Sequence, residues 1–143
     1  METIERHTIA VLVDNEAGVL ARVIGLFSGR GYNIESLTVA EVDPENSISR
    51  ISVVTSGTPM IIEQIKAQLE RLVPVHNISD LTIDGPSVER ELALVKIMVS
   101  PEKRSEILQV VEHFKATTID LTNKSIVIQV TGNSKKIDTV VNM

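Results

Sequence analysis

The pattern of hydrophobic and polar positions predicts alternating strands and helices over the first 84 residues. Short runs rich in Ile and Val are typical of strands, and longer segments with apolar residues three or four positions apart are typical of helices. The predicted strands cover residues 7–13, 34–42, 50–55 and 75–83. One predicted helix begins at Val19 and ends near Gly29 and Gly31, and the other begins at Thr58 and Pro59. The resulting order is β-α-β-β-α-β.

This order predicts a ferredoxin-like α+β domain, because two right-handed β-α-β units interleave into a four-stranded antiparallel sheet with both helices on one face. In the first helix, Val19, Val23 and Phe27 form one apolar stripe, and Leu20 and Ile24 lie on its neighbour. The opposite sheet face has no helix to cover it. We expect that face to be aliphatic and to meet a second copy or another domain.

The remaining residues, 85–143, repeat the pattern without completing it. Strands are predicted at 92–99, 117–121 and 125–130, and helices at Pro101 and at 134–141. The last strand of a β-α-β-β-α-β unit is missing. The sequence therefore predicts two ferredoxin-like domains, at 1–84 and 85–143, of which the second lacks its closing strand. Either the chain is truncated or this domain is unusually short.

Composition restricts the chemistry available to this chain. It has 17 Ile, 19 Val and 11 Leu, but only three aromatic residues and no cysteine. The absence of cysteine excludes disulfide scaffolds, thiolate nucleophiles and zinc sites with cysteine ligands. No apolar run is long enough to span a membrane, and the first residues do not resemble a signal peptide. We therefore expect a cytoplasmic protein.

Charge and motif searches argue against nucleic-acid binding and catalysis. The net charge is −5, with −6 in residues 1–86, whereas binding to a phosphate backbone requires a basic surface. No phosphate-binding loop, serine-nucleophile motif or histidine pair with metal-ligand spacing occurs. The three histidines, His7, His76 and His113, are predicted to be surface or edge-strand residues. No catalytic residue and no metal ligand is predicted.

One group of residues could bind a small zwitterion. Residues 15–18 connect the first strand to the start of the first helix, where free backbone N–H groups attract a carboxylate and Gly18 allows close approach. The side-chain oxygens of Asn15 and Asn33 could accept hydrogen bonds from an ammonium group. Asparagine is also common in helix caps and turns, so the residues alone leave a purely structural role open.

Two longer segments resemble a known family. Residues 14–27, DNEAGVLARVIGLF, and residues 30–39, RGYNIESLTV, are similar to the small regulatory subunit of acetolactate synthase, or acetohydroxyacid synthase. Residues 88–97, VERELALVKI, resemble the start of that family's second domain. The D-N-x-x-G-V-L opening alone is typical of the ACT domain, an amino-acid-sensing module with the ferredoxin-like fold.

The resemblance implies a regulatory role without catalysis. Its ACT domain pairs side by side with a second copy, and branched-chain amino acids, chiefly valine, bind at the interface. The implied effector-binding residues are Asn15, Gly18, Val19 and Leu20 of one chain, with Asn33 and Ile34 of the partner. The subunit activates a separate large catalytic subunit, which holds thiamine diphosphate, magnesium and FAD, and makes it sensitive to the end product. The alternative is a stand-alone amino-acid-binding ACT regulatory protein.

Overall fold

The computed structural model describes residues 3–143 and divides the chain into two compact units after Ser87. The sequence-based boundary lies three residues earlier, after Asp84. The first unit contains β1 (Glu5–Asp14), α1 (Val19–Gly29), β2 (Ser36–Asp43), β3 (Ile48–Gly57), α2 (Pro59–Glu70) and β4 (Val75–Asp80). The second contains β5 (Glu91–Met98), α3 (Arg104–His113), β6 (Thr117–Leu121), β7 (Ser125–Gly132) and α4 (Ser134–Val141).

The first unit confirms the predicted ferredoxin-like arrangement. Its antiparallel sheet has the order β2-β3-β1-β4, with β1 and β3 in the centre and β2 and β4 at the edges. At one end of the sheet Asp14 pairs with Ile48, which pairs with Asp43 of β2. At the other end Thr8 pairs with Val54, which pairs with Ser36. This register fixes which loops share an end of the sheet.

The core of this unit lies between one face of the sheet and both helices. Aliphatic side chains from alternate positions of β1 and β3 meet one stripe of each helix, as the period of two in strands requires. The buried core residues are Ile9, Val11, Val13, Val19, Val23, Phe27, Ile51, Val53, Ile62, Ile65 and Leu69. Thr58 caps α2 by accepting a hydrogen bond from the backbone N–H of Ile61, with Pro59 in the first turn.

The prediction of an aliphatic open sheet face is wrong. The strand positions that alternate with the core carry mainly small or polar side chains, because most of the aliphatic strand residues face the helices. Leu12, Ile48 and Val54 are the aliphatic exceptions in the two central strands. Residues of this open face include Thr8, Ala10, Leu12, Arg50, Ser52, Asn77 and Ser79. Exposed aliphatic surface occurs instead on α1, where Leu20 is 37% and Ile24 38% exposed.

Strand β4 ends at Asp80, earlier than predicted, because the following residues form a tight turn. The backbone N–H of Leu81 donates to Thr8, and that of Thr82 donates to the Asp80 carboxylate. The same carboxylate accepts from His7 at 2.7 Å and forms an ion pair with Lys66 at 3.3 Å. His7 is only 6% exposed on a central strand, so its prediction as a surface or edge-strand residue is wrong.

The second unit has the predicted β-α-β-β-α order within the described residues. Its antiparallel sheet has the order β5-β7-β6, and its core centres on Val99, Val111, Ile126 and Ile128. Helix α3 begins at Arg104 rather than at Pro101, because residues 101–103 form a turn. Asn133 caps α4 by accepting from the backbone N–H of Lys136.

Candidate functional site

The start of α1 is an uncapped helix N-terminus. Gly18 precedes the helix in the left-handed conformation, with φ of 87°, and no side chain within the described part of the chain caps this end. The first regular helical hydrogen bond runs from the N–H of Arg22 to the oxygen of Gly18 at 3.1 Å. The N–H of Val19 donates to the oxygen of Glu16 at 3.4 Å, whereas the N–H groups of Leu20 and Ala21 have no partner within residues 3–143. These two groups are available to a ligand, and the helix dipole favours a negative one. A carboxylate fits this position.

The loop before α1 is fixed by the backbone on both sides. The N–H of Asp14 donates to the oxygen of Pro74 at 2.9 Å, and the N–H of Asn15 donates to that of Ser47 at 2.7 Å. The Asp14 carboxylate also meets His76 Nε2 at 2.5 Å. The Asn15 side chain is exposed, and its Nδ2 donates to the carboxylate of Glu41 on β2. Sequence reasoning missed Glu41, because only the fold brings β2 beside this loop.

Asn33 lies in a second anchored segment, just before β2. Its backbone oxygen accepts a hydrogen bond from Thr55 Oγ1 at 2.5 Å, and the following Glu35 N–H donates to Val54 at 2.8 Å. Hydrogen bonds from Ser56 and Arg6 hold the pKa of the Glu35 carboxyl below its usual value. The Asn33 side chain is exposed and makes no hydrogen bond within residues 3–143.

Within one chain, Asn15 and Asn33 lie at opposite ends of the first sheet. Asn15 directly follows Asp14, at the end of the sheet where Asp43 closes β2, whereas Asn33 precedes Ser36 at the other end. The 11 residues of α1 run between them, a length of about 16 Å. A single chain therefore does not bring these two amides together around a small ligand.

The other predicted site residues divide between core and surface. Val19 is buried in the core, so it can offer a ligand its backbone but not its side chain. Ile34 is half-buried and packs against the core, while Leu20 is exposed beside the start of α1. Within the described residues, no group of three or more His, Asp or Glu side chains could hold a metal ion.

Strand β2 is an unpaired edge next to exposed apolar surface. It pairs only with β3, so its outer N–H and C=O groups have no strand partner in the described chain. On its helix-covered face Val39 is 45% exposed, and α1, which packs on the same side of the sheet, carries the exposed Leu20 and Ile24. We call these three residues the α1/β2 patch. Proteins normally protect edges of this kind with charge, a bulge or a partner.

No helix in residues 3–143 combines the length and the apolar character that crossing a bilayer requires.

The match of each unit to a family model defines the class of protein. Residues 9–77 match the family model described as an AHAS small subunit-like ACT domain, and residues 90–143 match that of the small subunit of acetolactate synthase.

Relatives and a solved structure extend this match to nearly the whole chain. The Escherichia coli acetolactate synthase isozyme 3 small subunit is 47% identical over 133 residues, which cover 93% of this chain and 80% of the relative. A probable acetolactate synthase small subunit of Archaeoglobus fulgidus is 43% identical, with coverage of 96% and 85%. The crystal structure of the Thermotoga maritima acetolactate synthase small subunit superposes with a TM-score of 0.86 at 36% identity. The match covers 96% of this chain and 85% of that chain. The chain belongs to the acetolactate synthase small subunit family.

Proposed function

We propose that this chain is the non-catalytic regulatory subunit of an acetolactate synthase. It activates a separate catalytic subunit and makes that subunit sensitive to inhibition by branched-chain amino acids, chiefly valine. Family membership supports the subunit role, and the uncapped start of α1 beside an open sheet edge is the observation that carries the effector site. The reaction then takes place on the catalytic subunit with its thiamine diphosphate, magnesium and FAD, and this chain supplies no cofactor.

The proposed effector site is shared by two copies of the chain. Antiparallel pairing of two β2 edges across a two-fold axis would form one continuous sheet and cover the α1/β2 patch. Because paired edges run in opposite directions, the start of β2 in one chain would lie beside the end of β2 in the other. Asn33 and Ile34 of the partner would then approach the Asn15 loop and the start of α1.

This arrangement matches the chemistry of an amino acid. The N–H groups at the start of α1 would bind the α-carboxylate, where Gly18 leaves space. The amide oxygens of Asn15 and of the partner's Asn33 would accept hydrogen bonds from the α-ammonium group. The aliphatic side chains of Leu20 and the partner's Ile34 would contact the side chain of the ligand. The effector thus stabilises one packing of the two copies, which gives it a means to act on the catalytic subunit.

The Asn33→Ala variant tests this assignment in the reconstituted enzyme. Loss of a hydrogen bond to a charged ammonium weakens binding by about tenfold or more, so half-inhibition should require about ten times more valine. Activation of the catalytic subunit should stay near the parental level, because Asn33 is an exposed loop residue. The measurement is a valine titration of acetolactate formation.

The control is Asn77→Ala, which removes the same amide from the open sheet face. It should leave both activation and inhibition unchanged. Parental inhibition in the Asn33→Ala enzyme would refute the role of Asn33.

A further inference from the structure

We propose that Glu41 is a positioning residue of the effector site: it orients the Asn15 amide so that the amide oxygen receives the ammonium group of the effector. This inference rests on the proposed function, which places an amino acid at the start of α1. It adds a residue that gives the site its preference for amino acids over simple carboxylic acids.

The hydrogen bond between Asn15 and Glu41 has only one chemically possible direction. An ionised carboxylate accepts hydrogen bonds but donates none, so the Asn15 amide must turn its NH₂ group towards Glu41. The amide oxygen then points away from Glu41 and has no partner within residues 3–143. Asn15 is left with an unused acceptor, which is the group an ammonium ligand needs.

The backbone around Asn15 cannot adjust this orientation, because it is already fixed. The N–H of Asn15 is bound to Ser47, and the preceding Asp14 is held by Pro74 and His76. The side-chain torsions of Asn15 therefore remain the variable part of the loop, and Glu41 is the side chain that holds them. Without that carboxylate, the amide could rotate and offer its NH₂ group, which repels an ammonium.

The position of Glu41 also suits direct electrostatic selection. Glu41 pairs with Ser49 on the helix-covered face of β2, close to the end of the sheet where α1 begins. Its negative charge lies beside the Asn15 amide and attracts a positive group there, while the helix start attracts the carboxylate. Both side chains are exposed, so their hydrogen bond contributes little to folding. Its removal should alter ligand preference without unfolding the chain.

The test compares valine with 3-methylbutanoate, which has the same carbon skeleton and carboxylate but lacks the ammonium. Both are titrated against the full chain, parent and Glu41→Gln, by following amide chemical shifts in NMR spectra. We expect Glu41→Gln to weaken valine binding about tenfold, because glutamine lacks the charge and can donate as well as accept, so it no longer fixes the direction of the Asn15 amide. Binding of 3-methylbutanoate should change less than about twofold, because the carboxylate site at α1 is intact.

The matched control is Glu45→Gln, which removes the same charge from the exposed β2–β3 turn. It should preserve the parental preference for valine. Equal weakening of both ligands by Glu41→Gln, or unchanged valine binding, would overturn the role of Glu41 and leave the proposed function intact. Failure of the parent chain to bind valine would instead refute the effector site itself.

Discussion

The Gly18→Asp variant is expected to lose valine binding by at least about 100-fold. The new carboxylate would lie at the uncapped start of α1, where the effector's own carboxylate must bind. Two like charges about 4 Å apart repel by about 4 kcal/mol near a protein surface, and each 1.4 kcal/mol is a factor of about ten in affinity. Calorimetric titration with valine measures the loss.

The matched control for this variant is Gly18→Asn. Gly18 has a left-handed backbone with φ of 87°. Apart from its two chain neighbours, no heavy atom of residues 3–143 lies within 4 Å of a side-chain carbon added there. Asparagine and aspartate tolerate this conformation similarly, so both variants carry the same backbone cost, about 1–2 kcal/mol. The neutral variant should lose valine affinity less than about tenfold, since it lacks the repelling charge. Undiminished valine binding to Gly18→Asp would refute the helix-start site. Equal losses of affinity in both variants would show that the size of the new side chain, not its charge, prevents valine binding.

The Ile24→Glu variant is expected to separate the paired copies and, with them, the effector site. Ile24 belongs to the α1/β2 patch, and burying an unpaired carboxylate there in the dimer costs several kcal/mol. The dissociation constant of the dimer should rise by about 30-fold or more, since one well-packed residue of an interface can contribute about 2 kcal/mol or more. Sedimentation at micromolar concentration should then show monomers. Valine binding should fall in parallel, because each site needs Asn33 of the second chain.

Met60→Glu provides the comparison for Ile24→Glu. Met60 is an exposed apolar residue at the start of α2 in the same domain, and it lies outside the α1/β2 patch. This substitution should leave both the dimer and valine binding at parental levels. A parent chain that sediments as a monomer, or an Ile24→Glu variant that remains dimeric and binds valine, would contradict pairing through this patch.

Much of the fold was predictable from the sequence, because most elements have a local cause. The stripe of Val19, Val23 and Phe27 predicts which side of α1 is buried, and Thr58 with Pro59 predicts where α2 begins. The predictions were wrong where tertiary contacts determine the end of an element or the exposure of a residue. β4 ends at Asp80 because the next residues form a turn that is hydrogen-bonded to β1. The hydrophobic pattern of the sequence does not predict that turn.

The candidate site was only partly predictable, for a related reason. The start of α1 follows from a turn-rich segment before an amphipathic helix, so Asn15 and Gly18 could be named from residue types. Glu41 lies 26 positions from Asn15 and meets it only because β2 is folded beside the loop. The exposure of Leu20 and Ile24 also could not be predicted from their spacing. An apolar stripe predicts burial, but it does not show whether the same chain or a second chain provides the contact. Both features concern contacts between elements or between chains.

In the proposed function, this chain regulates an acetolactate synthase catalytic subunit in response to valine. The most direct measurement is acetolactate formation by the cognate catalytic subunit, with and without this chain, over a range of valine concentrations. We predict a higher rate when the chain is present, and inhibition by valine only in its presence, with a coupling of about 1–3 kcal/mol. A rate that does not respond to the chain, or valine inhibition that is the same without it, would refute this regulatory role.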